Sequence, residues 1–246
     1  GGRSMIHILL AAYNEEAALG DVLNGIARAL ADGDYKVWVV DDGSRDGTSR
    51  VADEWRKKIP LIVLQHAVNR GLGAALQTGL DALRGALRET DVLVTLDADN
   101  THPPALIPRL AAPIEEGTAD IAIASRFVRG AVVAGVPFFR RLTGCAASWL
   151  FRIAVPLRGV RDYTCGFRAY RGGLLRKGFA APGRMITENG FACQAEWLIK
   201  LGRLAPRVVE LPLLLRYDRK PTPSKMPVLR TIGATLALLR RLRKLK

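Results

Sequence analysis

Between residues 6 and 125, short apolar runs alternate with segments of helical period, and this alternation constrains the fold more than any other feature. Residues 6–12, 35–40, 61–65, 92–96 and 121–124 read as strands. Between the first two, Leu19, Val22, Leu23, Ile26, Ala27 and Leu30 trace one helix face. Val51, Ala52 and Trp55 mark a second helix, and Leu76, Leu80, Leu83 and Leu87 a third. Such βα units predict an α/β fold with a mostly parallel sheet flanked by helices. Open sheets of this kind bind ligands beyond the carboxyl ends of their strands. Three of those ends carry chemistry: Tyr13-Asn14-Glu15-Glu16, Asp41-Asp42-Gly43-Ser44 and Asp97-Ala98-Asp99-Asn100.

Asp97 and Asp99 stand one residue apart where a strand ends, so they can share a divalent cation with the diphosphate of a nucleotide. Hard oxygen ligands suit Mg2+ or Mn2+, and a solvated turn is the plain alternative. In Asp41-Asp42-Gly43-Ser44-Arg45-Asp46-Gly47-Thr48 the glycines permit close backbone approach, and Asp46 or Thr48 suits a helix cap. Capping does not account for Asp41 and Asp42. Their carboxylates suit ribose hydroxyls or a base edge, so Asp42 is expected to contact the nucleotide rather than the core. Asn14 suits the cap of the first helix, with Glu15 and Glu16 complementing its dipole. In Asn69-Arg70-Gly71-Leu72-Gly73, backbone amides and Arg70 can meet anions, although the third glycine and the lysine of familiar phosphate loops are missing.

After Ser125 the alternation blurs. A connector over 130–137 leads to an amphipathic helix over 138–157, then a strand at 166–170 and a helix at 192–201. Residues 207–217 read as a strand interrupted by Pro212, which suits an edge, and 228–246 as an amphipathic helix. Charge divides the same way: residues 1–125 carry 12 Lys and Arg against 18 Asp and Glu, whereas 126–246 carry 25 against 5. The acidic half suits a bound cation. The basic half suits phosphate, on a substrate, a nucleic acid or an anionic membrane. Three cysteines, Cys145, Cys165 and Cys193, lie 20 and 28 residues apart, which fits neither a disulfide framework nor close-spaced zinc ligands and favours a reducing, cytoplasmic setting. No apolar run reaches the roughly 20 residues needed to cross a bilayer, so attachment at the inner face of the membrane is expected to be peripheral. Gly1 to Ser4, before Met5, read as an expression scar.

In order, Tyr-Asn-Glu-Glu, Asp-Asp-Gly-Ser-x-Asp-Gly-Thr, Asn-Arg-Gly-Leu-Gly, Asp-Ala-Asp and Ala124-Ser125-Arg126 resemble the family-two glycosyltransferases of GT-A fold. More narrowly, the series resembles the dolichol-phosphate mannosyltransferases and their polyprenyl-phosphate glycosyltransferase relatives, over about residues 6–225. The resemblance implies a nucleotide-sugar site built by Ala12, Tyr13, Asn14, Glu15, Asp41, Asp42, Arg70, Gly71, Asp97, Ala98 and Asp99, with Asp97 and Asp99 as ligands of Mg2+ or Mn2+. The group often has a glutamine where Thr101 stands here. Residues 137–141 resemble the group's interface helix, and Asp162-Tyr163-Thr164-Cys165-Gly166-Phe167-Arg168 its Asp-x-x-Ser-Gly-Phe segment with cysteine for serine. Residues 219–225 resemble its Arg-x-x-Gly-x-Ser-Lys loop, with Thr222 for glycine. By that resemblance Arg126, Arg140, Arg219 and Lys225 surround donor and acceptor phosphates, Arg141 being the alternative to Arg140. Gly144 stands where a phosphate-binding serine is expected.

The implied catalytic set is Asp97, Asp99, Arg126, Arg140 and Arg219. It implies inverting transfer of a hexose from GDP-mannose or a UDP-sugar to a polyprenyl or dolichyl phosphate at an anionic membrane surface, with no nucleic-acid partner. Residues 5–217 form the catalytic domain, with a nucleotide-sugar half (5–125) and an acceptor half (126–217), followed by a basic loop and helix (218–246). A hydroxyl acceptor would instead need a carboxylate base, for which Glu188 and Glu196 are available. A nucleotidyltransferase would carry a glycine-rich basic loop where Tyr13-Asn14-Glu15-Glu16 stands. A non-catalytic basic module for nucleic acid or membranes accounts for the charge but not for the acidic strand ends.

Overall fold

The computed structural model describes residues 4–219 and 228–243, and within these the side chains of residues 139, 140, 219, 228–232, 242 and 243 lie outside the description. The acidic half gives β1 (Ile6–Ala12), α1 (Glu16–Ala29), β2 (Tyr35–Asp41), α2 (Thr48–Trp55), β3 (Leu61–Gln65), α3 (Leu72–Leu83), β4 (Val92–Thr95), a 3-10 turn (Pro104–Leu106) leading into α4 (Ile107–Glu115), and β5 (Ile121–Ser125). The basic half adds β6 (Val132–Ala134), α5 (Phe138–Ala154), β7 (Arg168–Arg171), α6 (Gly172–Ala180), α7 (Cys193–Gly202), β8 (Val208–Pro212), β9 (Leu214–Arg216) and α8 (Val228–Arg243).

Seven strands form the main sheet in the order β3-β2-β1-β4-β7-β5-β8. Residues alternate along each strand, so both faces of the sheet are apolar. Ile8, Leu10, Val37 and Val39 pack with Leu19, Leu23 and Ile26 of α1 and Leu110 of α4. Leu9, Trp38, Val40 and Leu93 pack on the other face with Leu76 and Leu80 of α3 and Trp197 and Leu198 of α7. Each such buried side chain contributes about 1.5–3 kcal/mol. Because the helices cover both faces, the carboxyl ends of β1, β2 and β4 are left as an open edge.

The sheet departs from the expected pattern at β7, which runs antiparallel to both β4 and β5. That strand begins at Arg168 rather than at residue 166, because Gly166 O accepts the Thr95 hydroxyl at 2.7 Å instead of a ladder amide. Pro212 ends β8 at the sheet edge, as its missing N–H requires. The chain then continues as β9, which pairs with β6 in a separate two-stranded sheet. Three residues are too few for a period-two signal, so β6 lay hidden in the expected connector. Helix α6 was hidden for another reason: it opens on Gly172 and Gly173, poor helix formers. Glycine is needed there because a Cβ on Gly172 would stand 2.0 Å from Arg88 O.

At the first two strand ends, the helices cap each other. Asp46 Oδ2 accepts Glu16 N–H at 3.2 Å and Asp46 Oδ1 accepts Thr48 N–H at 3.0 Å. In return, Glu16 Oε2 accepts Gly47 N–H at 2.9 Å and Thr48 Oγ1 accepts Glu15 N–H at 2.8 Å. Asn14, expected as the cap of α1, instead adopts a left-handed conformation with φ of 53°. It clasps the neighbouring loop, its N–H donating to Ser44 Oγ at 2.9 Å and its Oδ1 accepting Arg45 N–H at 2.8 Å.

Removing Asp46 should therefore weaken two helix starts at once. Asp46→Ala is expected to lower stability by about 1 kcal/mol, read by urea unfolding at neutral pH. Partial burial raises the pKa of Asp46, but bonds from Thr48 and Glu16 outweigh it and hold the carboxyl below the usual range. A depressed carboxylate stabilises above its unfolded pKa of about 4 and loses that contribution as pH falls through the folded value. Parent and variant should converge in acid.

Candidate active site

Strand order places β2, β1 and β4 side by side, so their carboxyl ends bring Asp41 and Asp42, Tyr13 to Glu15, and Asp97 to Asp99 to one edge. Asp41 is buried, with Oδ1 accepting Ser44 N–H at 2.9 Å and Oδ2 accepting the Ser49 hydroxyl. These bonds fold the Gly43–Ser44 turn. Gly43 itself has φ of +70°, and a Cβ there would stand 2.4 Å from Val68 C, so the turn lies directly on the 68–69 backbone.

Asp42 differs from the expectation that its carboxylate meets the nucleotide. It is 3% exposed, and its two oxygens accept Arg70 N–H at 2.9 Å and Gly71 N–H at 2.8 Å, with His66 Nδ1 2.6 Å away. His66 Nε2 lies 2.9 Å from Thr78 Oγ1 on α3. Burial and three donors make Asp42 the fastener of the Arg70–Gly71 turn. The glycines of that turn also answer to protein rather than to phosphate. A Cβ on Gly71 would stand 2.5 Å from Asn189 O, and one on Gly73 would stand 1.7 Å from Glu188 O. Gly73 N–H donates to Asn189 O at 2.9 Å. Asn69 and Arg70, both exposed, are the part of the motif that faces outward.

At the end of β4, Ala98 is buried, and Asp97 is held through its backbone N–H, which donates to His102 Nδ1 at 3.1 Å. The Asp97 side chain is 43% exposed. Asp99 Oδ1 accepts Thr101 N–H at 3.1 Å and the Thr101 hydroxyl at 2.6 Å, across Asn100 with φ of 64°. Thr101 therefore orients Asp99. The donor set is two hard carboxylates, and no cluster of three or more His, Cys, Asp or Glu forms a cage among the described residues. Such a set fits Mg2+ or Mn2+, which bind through one or two carboxylates plus substrate phosphates.

In the basic half, Arg126 follows β5 and is clamped by Asp162. Its Nε donates to Oδ2 at 2.8 Å and Nη2 to Oδ1 at 2.6 Å, with Nη2 also 2.5 Å from Thr164 Oγ1. Asp162 is fully buried and accepts further amides from Thr164 and Cys165. Burial alone would raise its pKa, but the guanidinium beside it drives it well below the carboxylate range. The pair correspondingly raises Arg126 against its own burial. Arg126 was expected as a phosphate ligand; the structure spends Nε and Nη2 on Asp162. Its Nη1 points to α5, where a Cβ on Gly144 would lie 3.4 Å away. The side chains of Arg140 and Arg219, and Lys225 altogether, lie outside the described residues.

Both carboxylates considered as bases are engaged by other side chains. Glu196 is fully buried and accepts Thr187 N–H, the Thr187 hydroxyl and Glu188 N–H, with Lys200 Nζ at 2.8 Å. Burial pushes its pKa up and these donors hold it down, with a net lowering. Arg241 of α8 lies 3.0 Å from Glu188 and 3.1 Å from Glu196. The sequence pattern gives no role to His66 or Arg241, and marks Asp162 only as the start of a family-like segment. Their charged partners Asp42, Arg126 and Glu196 are 24, 36 and 45 residues away, beyond any local pattern.

A model of the family described as glycosyl transferase family 2 matches residues 7–179. Dolichol-phosphate mannosyltransferase of Pyrococcus furiosus is 36% identical over 84% of this chain, although the match spans only 55% of that protein's own length. Undecaprenyl-phosphate mannosyltransferase of Micrococcus luteus is 36% identical over 89% of this chain and 86% of its own. Among solved structures, glucosyl-3-phosphoglycerate synthase from Mycobacterium tuberculosis, in complex with Mn2+, UDP and glucosyl-3-phosphoglycerate, superposes with a TM-score of 0.67. That match is 24% identical and covers 97% of this chain and 79% of the other; it shows a shared fold.

The inward geometry of Asp42 makes a distinguishing prediction. Asp42→Ala leaves Arg70 N–H, Gly71 N–H and His66 without their acceptor and is expected to cost about 3 kcal/mol in urea unfolding. An unchanged unfolding transition, with only donor affinity lost, would return the carboxylate to the nucleotide.

Proposed function

The chain belongs to glycosyl transferase family 2 and has its GT-A fold, and from that premise we propose that it transfers mannose, or another hexose, from a nucleoside-diphosphate donor to the phosphate of a polyprenyl lipid. In this reading residues 5–125 hold the donor and residues 126–217 the acceptor. The named relatives from Pyrococcus furiosus and Micrococcus luteus support that acceptor class. Within the structure, one observation carries it. Helix α5 adjoins Arg126 at Gly144 and turns Phe138, Leu142, Trp149 and Ile153 outward, at 80%, 54%, 60% and 58% exposure. Their spacing of four, seven and four residues draws one stripe along the helix. A core helix would bury that stripe. An exposed one with Arg141 and Arg152 beside it fits an anionic lipid surface.

The donor lies across the ends of β1, β2 and β4, with Tyr13, Asn14, Glu15 and Asp41 around the nucleoside and Arg70 outside it. Asp97 and Asp99 hold a divalent cation, which neutralises charge on the departing diphosphate when bound; Mn2+ in the M. tuberculosis structure supports that choice. Thr101 presets the Asp99 carboxylate and His102 holds the Asp97 backbone, so little reorganisation is needed. An oxygen of the acceptor phosphate forms the new bond to the anomeric carbon as the bond to the diphosphate oxygen breaks on the opposite face, inverting configuration. A phosphate is already anionic and needs no general base. That requirement suits a site whose Glu188 and Glu196 are both committed to Arg241. Arg126 through Nη1, with Arg140, Arg219 and Lys225, completes the phosphate surroundings. No helix among the described residues is long and apolar enough to cross a membrane, and the protein works peripherally, on the cytoplasmic face.

Three measurements test this. Incubation with Mg2+ or Mn2+, a panel of GDP- and UDP-sugars and a short polyprenyl phosphate should yield a glycosyl phospholipid, identified by mass; product on a hydroxyl acceptor alone would overturn the acceptor. In calorimetry, GDP or UDP binding should vanish with chelator and fall at least about tenfold in Asp99→Asn; equal affinity throughout would remove the cation. Vesicles of anionic lipid should float the protein at low salt, and Trp149→Ser with Ile153→Ser should release it while leaving the urea transition unchanged.

A further inference from the structure

Behind Asp97, on the α7 face of the sheet, lies a group of buried polar side chains that the reaction above does not use. Arg168 of β7 is fully buried, and its hydrogen bonds run to neutral oxygens: Nη1 donates to Gln194 O at 2.7 Å and to Tyr170 Oη at 3.4 Å, and Nη2 donates to Tyr163 O at 2.7 Å. Arg168 thereby fixes the backbone at the second residue of α7. The side chain of that residue, Gln194, is 4% exposed and runs into the space over Gly166. A Cβ on Gly166 would stand 2.8 Å from Gln194 Nε2 and 3.3 Å from Asp97 Oδ1. The amide and the carboxylate therefore converge on one gap that only glycine leaves open. Oε1 of the same amide is buried with no partner.

That arrangement is costly as packing. An unsatisfied buried acceptor disfavours the fold by about 1–3 kcal/mol, which a leucine of similar shape would avoid. Neighbouring Cys193 and Ala195 show that this turn of α7 accepts apolar side chains. The amide nitrogen instead lies against the same gap as the Asp97 carboxylate.

We propose that Gln194 is a positioning residue for Asp97: presented across the gap at Gly166 and anchored by Arg168, its amide sets the orientation in which the Asp97 carboxylate meets the divalent cation and the donor diphosphate. The proposal rests on the cation-dependent reading of Asp97 and Asp99. It adds a residue outside every acidic strand end, contributed by the basic half of the chain. Gly166 has its own part, since any side chain there would stand against both the amide and the carboxylate.

Gln194→Leu and Gly166→Ala separate this from a packing role. Binding of Mn2+ with whichever of GDP and UDP the parent binds is followed by calorimetry and by loss of the free Mn2+ paramagnetic resonance signal, alongside thermal unfolding. Gln194→Leu should weaken cation-dependent binding about tenfold, as loss of a residue that orients a metal ligand does, with a Tm equal to or above the parent's. Gly166→Ala should weaken binding likewise, because its methyl displaces the amide. Gln194→Leu binding Mn2+ and nucleotide as the parent does would overturn the proposal, as would a loss of binding that only tracks a lowered Tm. If chelator leaves parent binding untouched, the cation reading itself falls, and this inference with it; the parent titration alone reveals that case.

Discussion

The carboxylate of Asp42 joins the end of β2 to the start of α3. By accepting Arg70 and Gly71 N–H and meeting His66, it pulls the start of α3 onto the end of β2. That start in turn supports the 188–189 backbone, through Gly73 N–H to Asn189 O at 2.9 Å. From there Glu188 N–H reaches Glu196, and Glu196 reaches Arg241 of α8. The donor edge and the C-terminal helix are thus linked by charge-assisted hydrogen bonds and backbone contacts with little slack, because the glycines at 71 and 73 admit no side chain between the layers.

The same economy explains the division of charge. Several carboxylates of the acidic half serve backbone donors: Asp41 folds its own turn, Asp42 holds the next loop, and Asp46 starts two helices. Such groups gain more from buried amides than from solvent, and they build a rigid rim. Within that rim, Asp97 keeps a side chain 43% exposed, which suits a ligand that enters and leaves with its substrate. In the basic half, Asp162 plays the mirrored part, holding two edges of Arg126 so that Nη1 is delivered in one direction.

Period and apolar content made the βα half legible: β1 and β3 begin and end where the pattern places them, and the fold class follows from that half alone. The reversal of β7 was not legible, since a strand's sequence carries no mark of its direction. Nor was the two-stranded sheet, whose strands are three residues each. For the site, the strand order sets the ends that carry Asp97, Asp99, Asp41 and Tyr13 side by side. Residue type at a strand end could not tell which carboxylates face outward, as Asp42 shows, because that depends on the backbone of residues 70–71 arriving from another unit. Gln194, Arg241 and the pairing of Asp162 with Arg126 were invisible for the same reason.

Helix α5 shows why one element must serve both substrates of such a reaction. A lipid phosphate cannot leave the interface without exposing its chain, each methylene costing about 0.8 kcal/mol to bring into water. The sugar donor must stay in water, at the strand ends. An element that meets the bilayer on one side and the site on the other removes that conflict, provided small residues let the site come close. Gly144 meets the proviso: a Cβ there would stand 3.4 Å from Arg126 Nη1, on the helix whose apolar stripe stands open. A Cβ at that position would already touch the guanidinium. On the proposed function, glycine at 144 brings α5 close to the guanidinium that Asp162 clamps, so the departure from the family pattern and the clamp bear on the same phosphate.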